Sequence, residues 1–450
     1  LVLDVGEGSR GEPRSNDLAE DYAGSPDWEV GGCGTGEGQR DYGKCADGET
    51  CLNGNCYCTL PPQLLWKRTL SSGPGRRISA LALLDSGAGE SVLAGHAAQH
   101  EDGVDTQKIW MVRLNEGGDV VWDITYDVGE WGQANAVAVT TQDKLVVAGG
   151  VGESPLGGDL LLMQVDLEGN PVWQQSLGGA QFEEGLAVVS TPDGHLGIAG
   201  LIGVVGTEPT GNNWLDAWLL EADDSGNVVW DASFGGDGTD LPLSIALTES
   251  GGYVVAGRQG NAEGSQTADA WGMMVDQTGS VLWDKLFGGT NWDGFHAVVV
   301  LEDGGIAAAG ATENVVGGNY DFFLVRTDGS GVASWQTTYG FAPGEIQKYV
   351  ERAYALSKSQ EGGFVLGGNR SENAGFASQG EVWLVGTDDE GALLWETAVV
   401  HCETCEGDAM TSLSGLSNGG LLVAGYSYGP SGEECESWIA RFRSGCVPLF

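Results

Sequence analysis

Apolar residues recur along this chain in short runs cut by tight polar turns, with no sustained helical spacing. Residues 293–301 form a mostly apolar stretch that opens on Asp293, and Asp303, Gly304 and Gly305 make a turn behind it. Residues 306–310 are small and apolar. Residues 321–326 alternate in part, a second turn covers 327–331, and a last run surrounds Trp335. Runs this short, bounded by Gly and Asp, read as strands joined by tight turns. This stretch therefore predicts four consecutive strands.

The same phrase returns along most of the chain. Trp66, Trp122, Trp173, Trp230, Trp283, Trp335 and Trp395 mark one copy each, spaced between 51 and 60 residues apart. A strand-built repeat of roughly 50 residues points to the blades of a β-propeller. The expected fold is all-β: a seven-bladed β-propeller of four-stranded blades over residues 61–450. The last copy holds only three strands, near residues 411–416, 421–425 and 437–442. Residues 64–70 form a fourth strand with no blade of its own. Docking this N-terminal strand as the outer edge of the last blade would close the ring and leave no open end.

Composition changes the picture in three ways. Gly at 76 of 450 positions would suggest low complexity, but the glycines fall at fixed places in the repeat and read as turn residues. The formal charge of −44, from 20 Lys plus Arg against 64 Asp plus Glu, argues against nucleic acid and anionic membrane surfaces as partners. No stretch is long and apolar enough for a membrane span.

The nine cysteines cluster at the two ends. Cys33, Cys45, Cys51, Cys56 and Cys58 give residues 31–60 the look of a small disulfide knot, and Cys402, Cys405, Cys435 and Cys446 stand near the other end. Odd numbers on one side imply one bond across the ends and one thiol left over. Leu1 rather than Met at the first position fits a removed signal peptide, so the expected setting is secreted, extracellular or on the cell surface. Residues 1–30 form an acidic extended tail whose composition supports no core of its own. Such a tail suits wrapping its own propeller, or adding a strand to a neighbouring copy in a homo-oligomer or polymer.

A resemblance follows from the clearest copy. Gly251-Gly252-Tyr253-Val254-Val255-Ala256-Gly257, then Asp269-Ala270-Trp271, then Gly279 to Trp283, resembles the propeller repeats of bacterial and archaeal secreted or cell-surface proteins. The phrase holding Asp223, Gly226 and Trp230 is similar to the tryptophan-docking motif of quinoprotein dehydrogenases, whose propellers usually have eight blades. The first resemblance covers residues 63–450 and implies a fold and a surface setting. No quinone-binding sequence accompanies the second, and no organic cofactor is expected.

Aligned copies expose two acidic columns. Glu183, Asp240, Asp293, Glu351 and Asp408 open the first strands, where Arg76 and Gly132 stand in the other copies. Asp159, Asp216, Asp269, Asp321, Glu381 and Glu436 open the third strands, with Lys108 in the first copy. A ring of carboxylates at the channel mouth would bind a hard cation such as Ca²⁺. The alternative is that each carboxylate accepts backbone N–H groups at its own blade junction, and a residue needed in every blade is explained more simply that way. The Trp column likewise reads as packing between blades.

Departures from the repeat are better candidates for chemistry. Arg76 and Arg77, with His96 and His100 nearby, could hold a carboxylate or sulfate of a glycan, or neutralise the acidic column beside them. Lys348, Tyr349, Arg352 and Tyr354 form a second such cluster. Propeller polysaccharide lyases use Tyr, His and Arg, so this cluster resembles theirs and is the candidate catalytic set. His401, Cys402 and Cys405 read as part of a disulfide and not as a zinc site, because close ligands are too few. No Gly-x-Ser-x-Gly elbow, P-loop or His-Glu-x-x-His motif occurs.

Three functional expectations result. The first is a non-enzymatic structural or interaction propeller that self-assembles through residues 1–60. The second is a carbohydrate-binding propeller or polysaccharide-cleaving enzyme acting on acidic glycans. The third is a Ca²⁺-dependent adhesive module.

Overall fold

The computed structural model describes residues 49–52, 55–72, 75–84, 89–101, 104–153, 158–205, 213–236, 238–260, 268–315, 319–340, 350–360, 362–371, 380–399, 407–428 and 434–445. Two short strands come first, β1 (Glu49–Leu52) and β2 (Asn55–Cys58), paired antiparallel with Cys51 opposite Cys56. Then comes β3 (Gln63–Ser72).

Successive groups follow. They are β4 (Arg76–Leu83), β5 (Ser91–Glu101), β6 (Val104–Leu114) and β7 (Val120–Tyr126); β8 (Trp131–Val139), β9 (Leu145–Gly152), β10 (Gly158–Val165) and β11 (Pro171–Leu177). Next are β12 (Glu183–Ser190), β13 (Leu196–Val205), β14 (Asn213–Ala222) and β15 (Val228–Phe234); β16 (Asp240–Leu247), β17 (Tyr253–Gly260), β18 (Ala268–Val275) and β19 (Val281–Phe287). After them stand β20 (Asp293–Val300), β21 (Ile306–Val315), β22 (Asn319–Thr327) and β23 (Ala333–Tyr339); β24 (Val350–Lys358), β25 (Phe364–Ser371), β26 (Gly380–Thr387) and β27 (Leu393–Val399). The chain ends on β28 (Gly407–Gly415), β29 (Leu421–Tyr428) and β30 (Glu434–Arg443).

The molecule is all-β, built of antiparallel four-stranded sheets. Within each group the strands pair in chain order, and β3 pairs with β30 to make the fourth strand beside β28, β29 and β30. First strands of consecutive groups touch, and β28 in turn touches β4. No helix among the described residues is long and apolar enough to cross a membrane.

Burial explains the sequence pattern strand by strand. Second and third strands lie between neighbouring sheets and are covered on both faces, so β9 and β10 read as continuous apolar runs. Fourth strands are outermost and half covered, and β11 and β15 alternate accordingly. Each hydrophobic core therefore belongs to two groups. Val146, Ala148, Leu160 and Leu162 of one interleave with Ile198, Trp218 and Leu220 of the next.

One glycine per group is dictated by close approach. Each first strand carries a bulge, as between Pro242 and Ser244, that presses its backbone on the second strand. A Cβ on Gly257 would stand 1.8 Å from the Leu241 carbonyl oxygen. Gly149 and Gly310 meet Gln133 and Gly294 in the same way. Only glycine fits there.

Some strands run further than apolar patterning predicts. β21 extends to Val315 where the small apolar run stops at Gly310, and β28 and β30 begin before their apolar stretches. The extra residues still pair through the backbone, and Ala311, Ala409 and Met410 among them are buried.

The acidic tail at residues 1–30 and Cys33, Cys45, Cys402, Cys405 and Cys446 lie outside the described residues. Cys51, Cys56 and Cys435 sit on β1, β2 and β30, with side chains outside the described set. Cys58 is disulfide-bonded, and Ser444 Oγ lies 3.8 Å from its sulfur, beyond β30. The buried Tyr57 donates to Asp389 Oδ2 at 2.9 Å and so fastens β2 to the turn before β27.

Candidate functional site

The two ends of the barrel-like stack differ. The fully described first-to-second and third-to-fourth connections are tight turns, such as Asp223 to Asn227, where one Asp223 oxygen takes the Ser225 and Asn227 backbone N–H groups at 2.9 Å each. Connections at the opposite mouth are longer, as from Val205 to Asn213, Gly260 to Ala268 and Tyr339 to Val350. Every first strand begins at this second mouth. Both acidic columns lie there.

The carboxylates of the two columns meet in pairs across the junctions between groups. A Cβ on Gly235 would lie 2.6 Å from both Asp216 Oδ1 and Asp240 Oδ2, so both carboxyls crowd one point. Glu183, Asp240, Asp293, Glu351 and Asp408 are all buried. Gly179, Gly236 and Gly289 donate backbone N–H bonds to Glu183, Asp240 and Asp293 at 3.2, 2.9 and 2.7 Å. Ser427 donates to Asp408 at 2.6 Å.

Burial raises the pKa of Glu183, Asp240 and Asp293, and a neighbouring carboxylate adds to the effect on each. Glu351 is pushed up to about 8, first by burial and then by Asp321. Elsewhere in the third-strand column Arg370 donates to Glu381, and Lys108, the base in that column, donates to Asp127 at 3.0 Å. Among the described residues no three His, Cys, Asp or Glu side chains converge as a metal-holding group.

Arg76 belongs to this bookkeeping of charge. It pairs with Asp123 at 3.1 Å, lies over the Trp110 ring, and Trp110 Nε1 donates to the same Asp123 at 2.8 Å. Its exposed setting gives the pair little weight in stability.

One residue further along the first strands the acidic pattern breaks, and here the side chains gather. Arg352 on β24 stands 4.5 Å from the Tyr320 ring and 5.4 Å from Trp292. Arg258 on β17 lies 5.5 Å from the same Trp292 ring. Trp292 and Tyr320 meet edge to face at 5.4 Å. His296 meets Tyr354 edge to face at 5.0 Å.

Two guanidiniums, two aromatic faces, a histidine and a tyrosine from three successive groups thus share one corner of the mouth. Burial, and then Arg352, lowers the pKa of Arg258, and Arg258 makes no ion pair among the described residues. Burial and the two arginines push His296 down to about 3, so its ring is neutral, and its Nδ1 is enclosed without a hydrogen-bond partner among the described residues. The nearby acid Glu313 receives the Trp292 backbone N–H at 3.4 Å.

Across the mouth, Arg77 lies 4.3 Å over Tyr426 and pairs in register with His96. At the equivalent position of β12 stands Glu184, which takes Asn135 Nδ2 at 2.7 Å and whose pKa burial raises.

Of the sequence candidates, Arg352 and Tyr354 fall in the same corner, Arg77 lies apart from them, and Arg76 is engaged with Asp123. Lys348 and Tyr349 lie outside the described residues, and the His100 side chain does as well. Sequence reasoning missed Arg258, Trp292, His296 and Tyr320. Trp292 and Tyr320 stand one position before Asp293 and Asp321 of the acidic columns, and Arg258 and His296 interrupt mostly apolar runs of a second and a first strand.

No protein-family model matches the chain, and no curated protein matches it in sequence. Among solved structures it is similar to β-propeller-like proteins. Sqt1 from Chaetomium thermophilum is 12% identical, covering 86% of this chain and 100% of that one at a TM-score of 0.46. A protein of unknown function from Dyadobacter fermentans is 11% identical over 85% and 100%, at 0.47. The alpha-L-arabinanase of Penicillium chrysogenum, complexed with arabinobiose, is 11% identical over 86% and 100%, at 0.46.

Proposed function

We propose that the chain is a seven-bladed β-propeller, closed by β3, that binds an acidic glycan at the mouth where its first strands begin. The observation that carries this reading is Arg258 and Arg352 over one Trp292 ring, with no ion pair at Arg258 among the described residues. A half-buried arginine without a carboxylate, in a chain of net charge −44, is costly unless an anion completes it. A guanidinium fork takes a uronate carboxylate in bidentate fashion. The Trp292 and Tyr320 ring faces and the neutral His296 supply stacking and a hydrogen bond for a sugar ring.

Calorimetric titration with trigalacturonate, against neutral galactotriose, tests this directly. Binding of the acidic trimer alone, lost in Arg258→Ala and Arg352→Ala variants that stay folded, is the expected result. Equal binding of both sugars, or of neither, would overturn it. An extracellular setting, assembly through residues 1–60 and Ca²⁺ adhesion are separate proposals that rest on the cysteines, the tail and the acidic columns.

A further inference from the structure

Arg77 holds in β4 the register position that Arg352 holds in β24. Both precede the bulge, which falls between Ile78 and Ala80 in one strand and between Ala353 and Ala355 in the other. Both reach back to an aromatic ring of the preceding sheet, Tyr426 at 4.3 Å and Tyr320 at 4.5 Å. Each also has a neutral imidazole near it. His96 is pushed down to about 4 by burial and by Arg77, as His296 is by its arginines. The Nδ1 atoms of both rings are enclosed with no hydrogen-bond partner among the described residues. Base, ring and unsatisfied imidazole therefore occur twice on one mouth. Between the two stations β28 carries the buried Ala409 at this register.

We infer that Arg77, His96 and Tyr426 form a second anion subsite, so that the ligand is a chain bearing at least two acidic sugar units. This rests on the acidic-glycan reading. Each guanidinium takes one carboxylate, and each neutral imidazole takes one sugar hydroxyl without adding charge. Two linked contacts gain from effective concentration, which a single acid cannot exploit.

The full chain would be titrated with galacturonate and with trigalacturonate, alongside Arg77→Ala, Arg77→Gln and Arg352→Ala. The wild type should bind the trimer at least about tenfold more tightly than the monomer. Both Arg77 variants should lose that gain and keep the monomer affinity, while Arg352→Ala weakens both ligands. Arg77→Gln keeps the stem and guards against a packing defect in the alanine variant; unchanged melting confirms that either is folded. Trimer binding undiminished in both folded Arg77 variants would overturn the second subsite and leave the first intact. A wild type that binds neither uronate would sink the underlying reading, and this one with it.

Discussion

Glu351 shows how far one buried residue sets the response to pH. It is 1% exposed and faces Asp321. Its folded pKa of about 8 lies above the ordinary 4.5, so the folded state keeps a proton that the unfolded chain releases between those values. The contribution is complete below about 4.5 and is lost as pH rises through about 8. Glu351→Gln keeps a donor toward Asp321 and cannot ionise. Urea melts near pH 5 and pH 8.5 (roughly the ends of this window) should show a smaller loss in the variant than in the wild type. Equal losses would refute the assignment.

His195 acts in the same sense. Its bond to Glu221 at 2.8 Å raises it, so its contribution is present below 6.5 and fades as pH climbs through the folded value. His96 and His296 work oppositely. Both are held low, the unfolded chain takes up their protons below 6.5, and acid costs stability through them. Imidazole NMR shifts of His296 should stay those of the neutral ring down to about pH 4.

At the scale of elements, the outer tryptophans join one sheet to the next. Trp66, Trp122, Trp173, Trp230, Trp283 and Trp335 each lie over a left-handed glycine in the third-to-fourth turn of the following group. Trp283 covers Gly331, whose φ is 76°, and a Cβ there would stand 2.7 Å from the indole. Trp173 and Trp230 donate to the backbone of the same turns, at Asp224 and Gln277, at 3.0 and 3.1 Å. Trp and Gly recur together because one packs on the other.

Trp283→Ala should cost about 3–5 kcal/mol. Gly331→Ala should cost about 1–2 kcal/mol in backbone strain, with the collision added. The double variant should cost less than the sum, because the collision disappears with the indole, and a thermodynamic cycle on urea melts measures that coupling. β3 does the same service at the chain's start, with Trp66 over Gly118. A chain lacking β3 leaves β30 as an exposed edge and should melt lower and self-associate on sizing columns.

Across the whole molecule the net charge of −44 opposes the proposed site. The far field repels a polyuronate, while the arginines attract it at contact. Salt screens the first over a Debye length of about 10 Å at 0.1 M, and a half-buried contact much less. The association rate should therefore rise as NaCl goes from about 10 to about 100 mM, and stopped-flow traces decide it. A rate that falls from the lowest salt upward would show steering by a local basic field instead. Melting temperature should rise over the same range, as self-repulsion is screened.

The repeated apolar runs and the recurring Trp and Gly positions already determined an all-β chain of four-stranded units, because turn chemistry and strand patterning are local and written into every copy. They also marked Arg352 and Tyr354 as breaks in the pattern. Only the tertiary structure decided what those breaks join. Arg258, Trp292, His296 and Tyr320 join Arg352 from three copies of the repeat, and the strand bulges and close sheet packing bring them to one layer. The acidic columns were visible as columns. Their pairing across junctions was not, since spacing along a chain says nothing of which neighbour's carboxylate a buried side chain must face.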